Sequence, residues 1–373
     1  MRIAILTLPL HTNYGGILQA YALQTVLERM GHKVEVLDKR RREKTDLPLD
    51  VKIKRFILKY LLFQKLNQLR EDVSYYRHKI ENKYTWKFAD KHIHRREITS
   101  FNDIKENDYD AIVVGSDQVW RPCYFSGNYN DSMSNAFLSF TNGWNIKRIT
   151  YAASFGNENW EFSDKDTIKC KILINQFNAV SVREQYGKIL LCQNLDYNKA
   201  VVLPDPTLLL EKQDYINLIL PQETSKSSGN LLVYFIDETF EKNNLLKIIS
   251  TVKNLKAFRV NSKVEDLTNK EIFTQPSVES WIRGFFDAEF VITDSYHACI
   301  FSIIFNKEFI VYGNKERGIT RFKTLLNTFH LEDRLIEDYS NFNLNNIKSQ
   351  MPNNDIIKRL KDKGINFLKN NII

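Results

Sequence analysis

The stretch running from Arg2 to Asp38, RIAILTLPLHTNYGGILQAYALQTVLERMGHKVEVLD, decides the class of fold. Residues 3–7 are an apolar run of strand length, residues 8–15 a loop, and residues 16–30 a helix stopped by Gly31. Residues 34–38 return as a second strand. On the helix Ile17, Leu18, Tyr21, Leu23, Val26, Leu27 and Met30 form a broad apolar face, with Gln19, Gln24, Glu28 and Arg29 elsewhere. That is the pattern of a helix covering a parallel sheet, so the unit reads as β-α-β.

Working outward, strands recur at 110–115, 149–154, 179–182 and 200–203, which extends the unit into a doubly wound sheet. After Leu203-Pro204-Asp205-Pro206-Thr207 the composition changes, and residues 222–229, QETSKSSG, are the most linker-like segment of the chain. A second unit then shows strands at 231–236, 257–260, 290–293 and 309–312, with helices at 241–252, 277–286 and 297–305 between them. A last helix over 355–368 is expected to pack back across the first unit. The expected architecture is α/β with two Rossmann-like domains, 1–210 and 211–373, the first carrying a basic helical insertion over about 40–96. Such a pair sets the C-terminal strand edges of both sheets on either side of one cleft, where ligands of open α/β sheets bind.

Composition bounds the function. The chain has 373 residues, 43% hydrophobic and 26% charged, which is ordinary globular usage and enough for two cores. No stretch reaches the ~18 to 20 apolar residues of a spanning helix, and the first residues lack a signal-peptide core, so the expected location is cytoplasmic. Cys123, Cys170, Cys192 and Cys299 stand far apart with no histidine at ligand spacing, which implies buried free thiols and neither a disulfide framework nor a metal site. Of the net charge of +8, the segment 39–96 supplies more than the whole, with 18 lysines and arginines against 7 aspartates and glutamates. Within it residues 51–63, VKIKRFILKYLLF, read as a basic amphipathic helix suited to an anionic membrane surface or, as is more usual for such helices, as one whose apolar face packs on its own domain. Nucleic acid is not expected, because no zinc-finger spacing, RNA-binding signature or helix-turn-helix signal accompanies the charge.

Chemistry-bearing residues gather at the expected strand edges. The loop His11-Thr12-Asn13-Tyr14-Gly15-Gly16 runs into a helix N-terminus, which can receive an anion or a sugar hydroxyl, although paired glycines also serve plain turns. Val-Val-Gly-Ser-Asp-Gln-Val-Trp at 113–120 places Ser116, Asp117, Gln118 and Trp120 together: polar groups for hydroxyls and an indole for the C–H face of a pyranose. The alternative is that Asp117 caps a helix and Trp120 is core. Arg183, just past the strand at 179–182, can hold a carboxylate or phosphate bidentately or form a structural ion pair with a neighbouring acid. Asp294-Ser295-Tyr296-His297 follows the strand at 290–293, with His297 at a helix entrance, placed either to move a proton or simply to pack. Asn314, Arg317 and Arg321 lie after the next strand, in what is either a second anion clamp or a solvated charged loop.

In this order the pieces resemble the polysaccharide pyruvyl transferases: Asn-Tyr-Gly-Gly-x-Leu-Gln-Ala-Tyr-Ala-Leu-Gln at 13–24, Val-Gly-Ser-Asp-Gln-Val-Trp at 114–120, Tyr-Ala-Ala-Ser-Phe-Gly at 151–156, Ser-Val-Arg-Glu at 181–184, Asp-Pro-Thr-Leu-Leu-Leu at 205–210, Thr-Asp-Ser-Tyr-His at 293–297 and Arg-Gly-Ile-Thr-Arg-Phe at 317–322. The resemblance covers about residues 1–330. It implies a GT-B-like arrangement of the two domains and transfer of the enolpyruvyl unit of phosphoenolpyruvate to a sugar as a cyclic ketal. It also implies that Arg183 and the histidine of the Asp-Ser-x-His motif, His297, line the phosphoenolpyruvate site. One departure is Ala298, where relatives often have glycine.

On this reading phosphoenolpyruvate is held by Arg183, Ser295, His297, Asn314, Arg317 and Arg321. His297 is the general acid, Asp294 orients its ring, and Asp117 positions or deprotonates the acceptor. The acceptor itself is met by Asn13, Tyr14, Gly15, Gly16, Ser116, Asp117, Gln118 and Trp120. A C–O bond breaks, so no metal or cofactor is expected, phosphoenolpyruvate being a substrate. The acceptor is expected to be a hexose or N-acetylhexosamine on a polyprenyl diphosphate at the inner face of the cytoplasmic membrane, with segment 39–96 as the peripheral contact. A nucleotide-sugar glycosyltransferase of the same architecture and a non-catalytic polysaccharide-binding scaffold are the alternatives.

Overall fold

β1 (Arg2–Leu6) leads through the loop at 7–13 into the helix Tyr14–Arg29, and β2 (Lys33–Asp38) returns beside it in parallel register, Ile3 opposite Val34 and Ile5 opposite Val36. This is a computed structural model, and it describes residues 1–39, 79–219, 224–261, 274–313, 318–339, 342, 343, 347 and 350–372. The helix starts two residues before the position read from sequence because the Asn13 side chain accepts a hydrogen bond from the Gly16 N–H, 3.1 Å away, and so caps it. It stops where Gly31 adopts a left-handed φ of 88°, a conformation that favours glycine after a helix end. Ile3 to Leu6 are wholly buried, as expected of a strand with helices on both faces.

Among the described residues the first sheet adds β3 (Arg95–Glu97), β4 (Ala111–Val114) and β5 (Lys147–Thr150) in the order β3-β2-β1-β4-β5, every neighbour parallel. β6 (Ser181–Val182) and β7 (Val201–Val202) pair with each other and join β5 through bridges at Ile149–Ala179 and Ala153–Val182. This is the Rossmann order, with its reversal between β1 and β4. The second sheet contains β8 (Leu231–Tyr234), β9 (Ala257–Arg259), β10 (Phe290–Thr293), β11 (Glu308–Tyr312) and β12 (Leu335–Ile336), ordered β12-β11-β10-β8-β9 and again parallel. That is the other common doubly wound order, reversing between β8 and β10. β3 and β12 are absent from the sequence expectation, since a polar Arg-Arg-Glu triplet and a two-residue edge strand carry no apolar alternation to read.

The sheets meet through the loops at their C-terminal edges. Gly15, after β1, lies so close to His297, after β10, that a Cβ there would overlap the imidazole. The architecture is therefore α/β, two Rossmann-like halves in a GT-B-like arrangement. One apolar cluster runs continuously from the helix Tyr14–Arg29 into the helices Val278–Asp287 and Tyr296–Ile304. Tyr14 stacks on Trp281 with ring centroids 5.6 Å apart, and its hydroxyl donates to the Pro276 carbonyl at 2.8 Å. The final helix, Asn354–Ile372, lies against the first half, its Gly364 packed on Tyr151 and Leu209.

Residues 40–78, which include the basic amphipathic stretch 51–63, lie outside the described residues, as do residues 220–223, which include the first two of the linker-like segment. Among the described residues no helix is long and apolar enough to cross a membrane. The cysteines are free, but the expected burial holds only for Cys170 and Cys299, because Cys123 and Cys192 are exposed on helix surfaces.

Candidate functional site

Arg183 sits immediately after β6, where the strand end delivers its side chain into the interior between the two sheet edges. Its Nη1 donates to Asp205 Oδ2 at 2.9 Å, and its Nε to Glu184 Oε1 at 2.8 Å. Asp117 Oδ1 stands 3.7 Å from the same Nη1. From the other half, His297 Nε2 comes to 3.3 Å from the same Asp205 Oδ2, an ion-pair separation without hydrogen-bond alignment. Arg183 and His297 thus share one carboxylate. Arg183 also lies over the Tyr296 ring, its guanidinium carbon 4.5 Å from the centroid, and Arg321 approaches that ring at 5.3 Å.

Asp205, like Glu184 and Tyr296, is a residue of this site to which sequence reasoning gave no role. It begins the Asp-Pro-Thr motif, and its other oxygen accepts from the Thr207 N–H at 3.1 Å and the Thr207 hydroxyl at 2.7 Å. Burial alone raises its pKa, but the imidazole of His297, the guanidinium of Arg183 and the Thr207 hydroxyl outweigh burial and hold it well below the usual carboxylate range. For Arg183 burial works against the charge, and Glu184, Tyr296, Asp205 and Asp117 together outweigh it and raise its pKa, so it stays a cation.

Among the described residues, Arg183 Nη2, Glu184 Oε2 and His297 Nε2 are buried here without a hydrogen-bond partner. Glu184, Arg321 and Arg183 all act electrostatically on Tyr186, after burial, which raises its hydroxyl pKa. Unpaired polar atoms are rare in protein interiors, and a cluster of them beside two arginines and a histidine marks a place where a small polar ligand or water completes the bonding.

Of the residues expected to meet an acceptor, Asn13, Gly15 and Asp117 belong to this centre. Asn13 Nδ2 donates to Asp117 Oδ2 at 3.3 Å, and Asp117 takes a left-handed φ of 54° at the end of β4. Gly16 gives its N–H to the Asn13 cap and lies in the first turn of the helix rather than being a free donor. Gln118 is half-buried, its side-chain carbonyl 3.5 Å from Arg121 Nη1. Three others point elsewhere. The Tyr14 hydroxyl is spent on Pro276, the Ser116 hydroxyl donates to the Ala152 carbonyl at 2.7 Å, and both side chains are buried. Trp120 is wholly buried, stacked on Phe137 at 4.8 Å with its indole N–H on the Ala136 carbonyl, so the expected pyranose platform is a core residue.

Asp294 does not orient His297. Its Oδ1 accepts from the Ile236 N–H at 2.7 Å, and its Oδ2 from Lys242 Nζ at 2.6 Å and the Asp237 N–H at 3.2 Å. Those bonds tie the loop after β8 to the end of β10, and the carboxylate beside the imidazole is Asp205. Ser295 caps the helix Tyr296–Ile304 through its hydroxyl, 3.4 Å from the Ala298 N–H. Asn314 and Arg317 lie outside the described residues.

The polysaccharide pyruvyl transferase family model matches residues 13–316, from the Asn13 loop to just past β11. The chain belongs to the polysaccharide pyruvyl transferase family. The stretch that makes it a polysaccharide pyruvyl transferase by family holds Asp117, Arg183, Glu184, Asp205 and His297, while Arg321 and the final helix follow it. No curated protein matches the chain. Among solved structures, the Arabidopsis thaliana UGT89C1 complexed with UDP-L-rhamnose is similar at 10% identity, over 98% of this chain and 94% of that one, with a TM-score of 0.47. The Methanocaldococcus jannaschii UDP-GlcNAc 2-epimerase in complex with UDP-GlcNAc and UDP is similar at 11% identity, over 99% and 100%, also with a TM-score of 0.47.

Proposed function

We propose that this pyruvyl transferase moves the enolpyruvyl unit of phosphoenolpyruvate onto two hydroxyls of a hexose or N-acetylhexosamine in a surface-polysaccharide precursor, closing a cyclic ketal. The observation that carries the reading is the convergence of Arg183 and His297 on Asp205 Oδ2, at 2.9 and 3.3 Å, with Arg183 Nη2 left unpartnered beside them. A guanidinium with a free edge suits a carboxylate or phosphate, and an imidazole beside it is placed for proton transfer.

The reaction balances as follows. His297 gives a proton to the CH2 carbon of phosphoenolpyruvate while the first sugar hydroxyl adds to C2. The C2–O bond to phosphate then breaks, and the second hydroxyl closes the ring on C2. One hydroxyl hydrogen ends on the new methyl group, by way of the imidazole, and the other on the departing phosphate. Arg183 and Arg321 hold the carboxylate and phosphate, and Ser295, Asn314 and Arg317 are assigned to the same ligand. Asp205, rather than Asp294, fixes the imidazole. Asp117, held by Asn13, positions or deprotonates the acceptor hydroxyl. The scheme uses no cofactor. The acceptor is carried on a polyprenyl diphosphate at the inner face of the cytoplasmic membrane, and segment 39–96 contacts that surface. This reading keeps the divisions 1–210 for the acceptor side and 211–373 for the donor side.

Phosphate release from phosphoenolpyruvate in the presence of lipid-linked galactose and N-acetylhexosamines tests the reading. The wild-type chain is expected to release phosphate with at least one acceptor, and His297→Ala to lose ~10²-fold or more in turnover. A variant keeping more than about a tenth of turnover removes the acid role of His297. Release of UDP from UDP-sugars on the same acceptors, with none of phosphate, replaces ketal formation with glycosyl transfer.

A further inference from the structure

The role of Tyr296 goes beyond its place in the motif. Its ring has the Arg183 guanidinium carbon 4.5 Å and the Arg321 guanidinium carbon 5.3 Å from its centroid, and His297 meets it edge-on at 5.6 Å with an interplanar angle of 80°. One aromatic ring therefore lies against both described arginines of the centre and against His297. Burial raises the pKa of its hydroxyl, so the ring is neutral, and only 7% of the residue is exposed. Two guanidiniums gathered at one ring with little water between them repel one another. The negative face of an aromatic ring opposes that repulsion, and more strongly where water is excluded. A leucine in its place supplies bulk without the quadrupole.

Both arginines are held from their own elements as well. Arg183 is anchored by Glu184 at 2.8 Å and Asp205 at 2.9 Å. Arg321 lies in the first turn of the helix Ile319–Phe329, behind Gly318, which has a left-handed φ of 83° and packs on the Gly156 carbonyl of the first half. The free Nη2 of Arg183 is left at this junction.

We propose that Tyr296 is a positioning and specificity-determining residue, its ring fixing the separation of the Arg183 and Arg321 guanidiniums so that they grip a small ligand with two anionic groups in preference to one with a single group. This deepens the pyruvyl-transfer reading, since phosphoenolpyruvate is such a ligand, but it applies to any bis-anion of that size.

Calorimetric titration of the full chain with phosphoenolpyruvate, pyrophosphate and inorganic phosphate tests it in wild type, Tyr296→Phe and Tyr296→Leu. The phenylalanine variant keeps the ring and is expected within about twofold of wild type for all three probes, whereas the leucine variant loses about tenfold for the two bis-anions and less than about threefold for phosphate. An unchanged ratio of bis-anion to phosphate affinity in Tyr296→Leu overturns the proposal. So does a phenylalanine variant as weak as the leucine one, or a wild-type chain that binds none of the three. If wild type ignores phosphoenolpyruvate while pyrophosphate follows the expected pattern, the donor assignment fails and the role of Tyr296 stands. Thermal melting checks that each variant is folded, and Tyr296→Met, whose flexible chain refills the volume, takes the place of a leucine variant that is not.

Discussion

A carboxylate out of contact with water persists only where cations and donors replace its lost hydration, and Asp205 has Arg183, His297 and both Thr207 groups to do so. Because its folded-state pKa lies below the unfolded value, its ionisation stabilises the native state above the ordinary carboxylate pKa and ceases to do so as pH falls toward the folded value. Asp205→Asn keeps the shape and removes the charge. We expect it to lose about 1.5 to 3 kcal/mol at pH 7, since Arg183 and His297 lose a charged acceptor while Glu184 still pairs the guanidinium. The gap from wild type should shrink progressively below a pH of about 3.9, the unfolded carboxylate value. Urea denaturation across this range measures it, and a gap that stays constant into acid contradicts the account. Arg183 and His297 were legible in the sequence because each follows an apolar strand, and such strands end at ligand-binding edges. Asp205 was not, because Pro-Asp-Pro reads as a chain turn and nothing in its spacing points to a histidine from the other sheet. Trp120 stayed open between the two readings for a related reason: a tryptophan after a strand looks the same in sequence whether it faces a sugar or, as here, Phe137.

Elements were legible in proportion to how far burial dictates their pattern. β1, β4, β8 and β10 are near-continuous apolar runs, each expected close to where it lies, whereas β3 and β12 are short edges without such a run. Asp294 shows what element-level reading leaves out. It ends β10 three residues before His297, but the strand end and the helix start turn their side chains to different neighbours, and Asp294 falls to Lys242. The final helix, Asn354–Ile372, was visible as a helix, and its function in packing is set by Ile356, Leu368 and Ile372, all buried, with Gly364 allowing close approach to Tyr151 and Leu209. Each fully buried side chain of this kind contributes about 1.5 to 3 kcal/mol. Deleting residues 354–373 is therefore expected to cost on the order of 5 kcal/mol and to strip cover from the first half. Chemical denaturation of the shortened chain checks this, and an unchanged midpoint shows that the helix only decorates the surface.

At the scale of the whole molecule the two sheets are joined by a shared apolar layer and by a centre whose charged partners come from both halves, so geometry at the site depends on how the halves meet. The charge of the chain is distributed differently. The net charge is +8, and segment 39–96, with 18 basic against 7 acidic residues, exceeds it alone, leaving the rest of the chain acidic. A surface lysine or arginine gains ~1 kcal/mol near an anionic membrane, and that attraction fades beyond a Debye length of about 10 Å at 0.1 M salt. If the acceptor rides on a membrane lipid, this concentrated charge holds the enzyme where its substrate is. Vesicles containing anionic lipid are then expected to retain the protein at low salt and to release it as salt rises, whereas zwitterionic vesicles should not retain it. Replacing lysines and arginines of residues 40–78 with glutamine should abolish retention and leave phosphate release with a water-soluble acceptor intact, because the residues proposed for the chemistry lie outside that segment. Protein that fails to bind anionic vesicles even at low salt removes the membrane contact while leaving ketal formation untouched, and retention that is indifferent to salt assigns the contact to apolar burial instead.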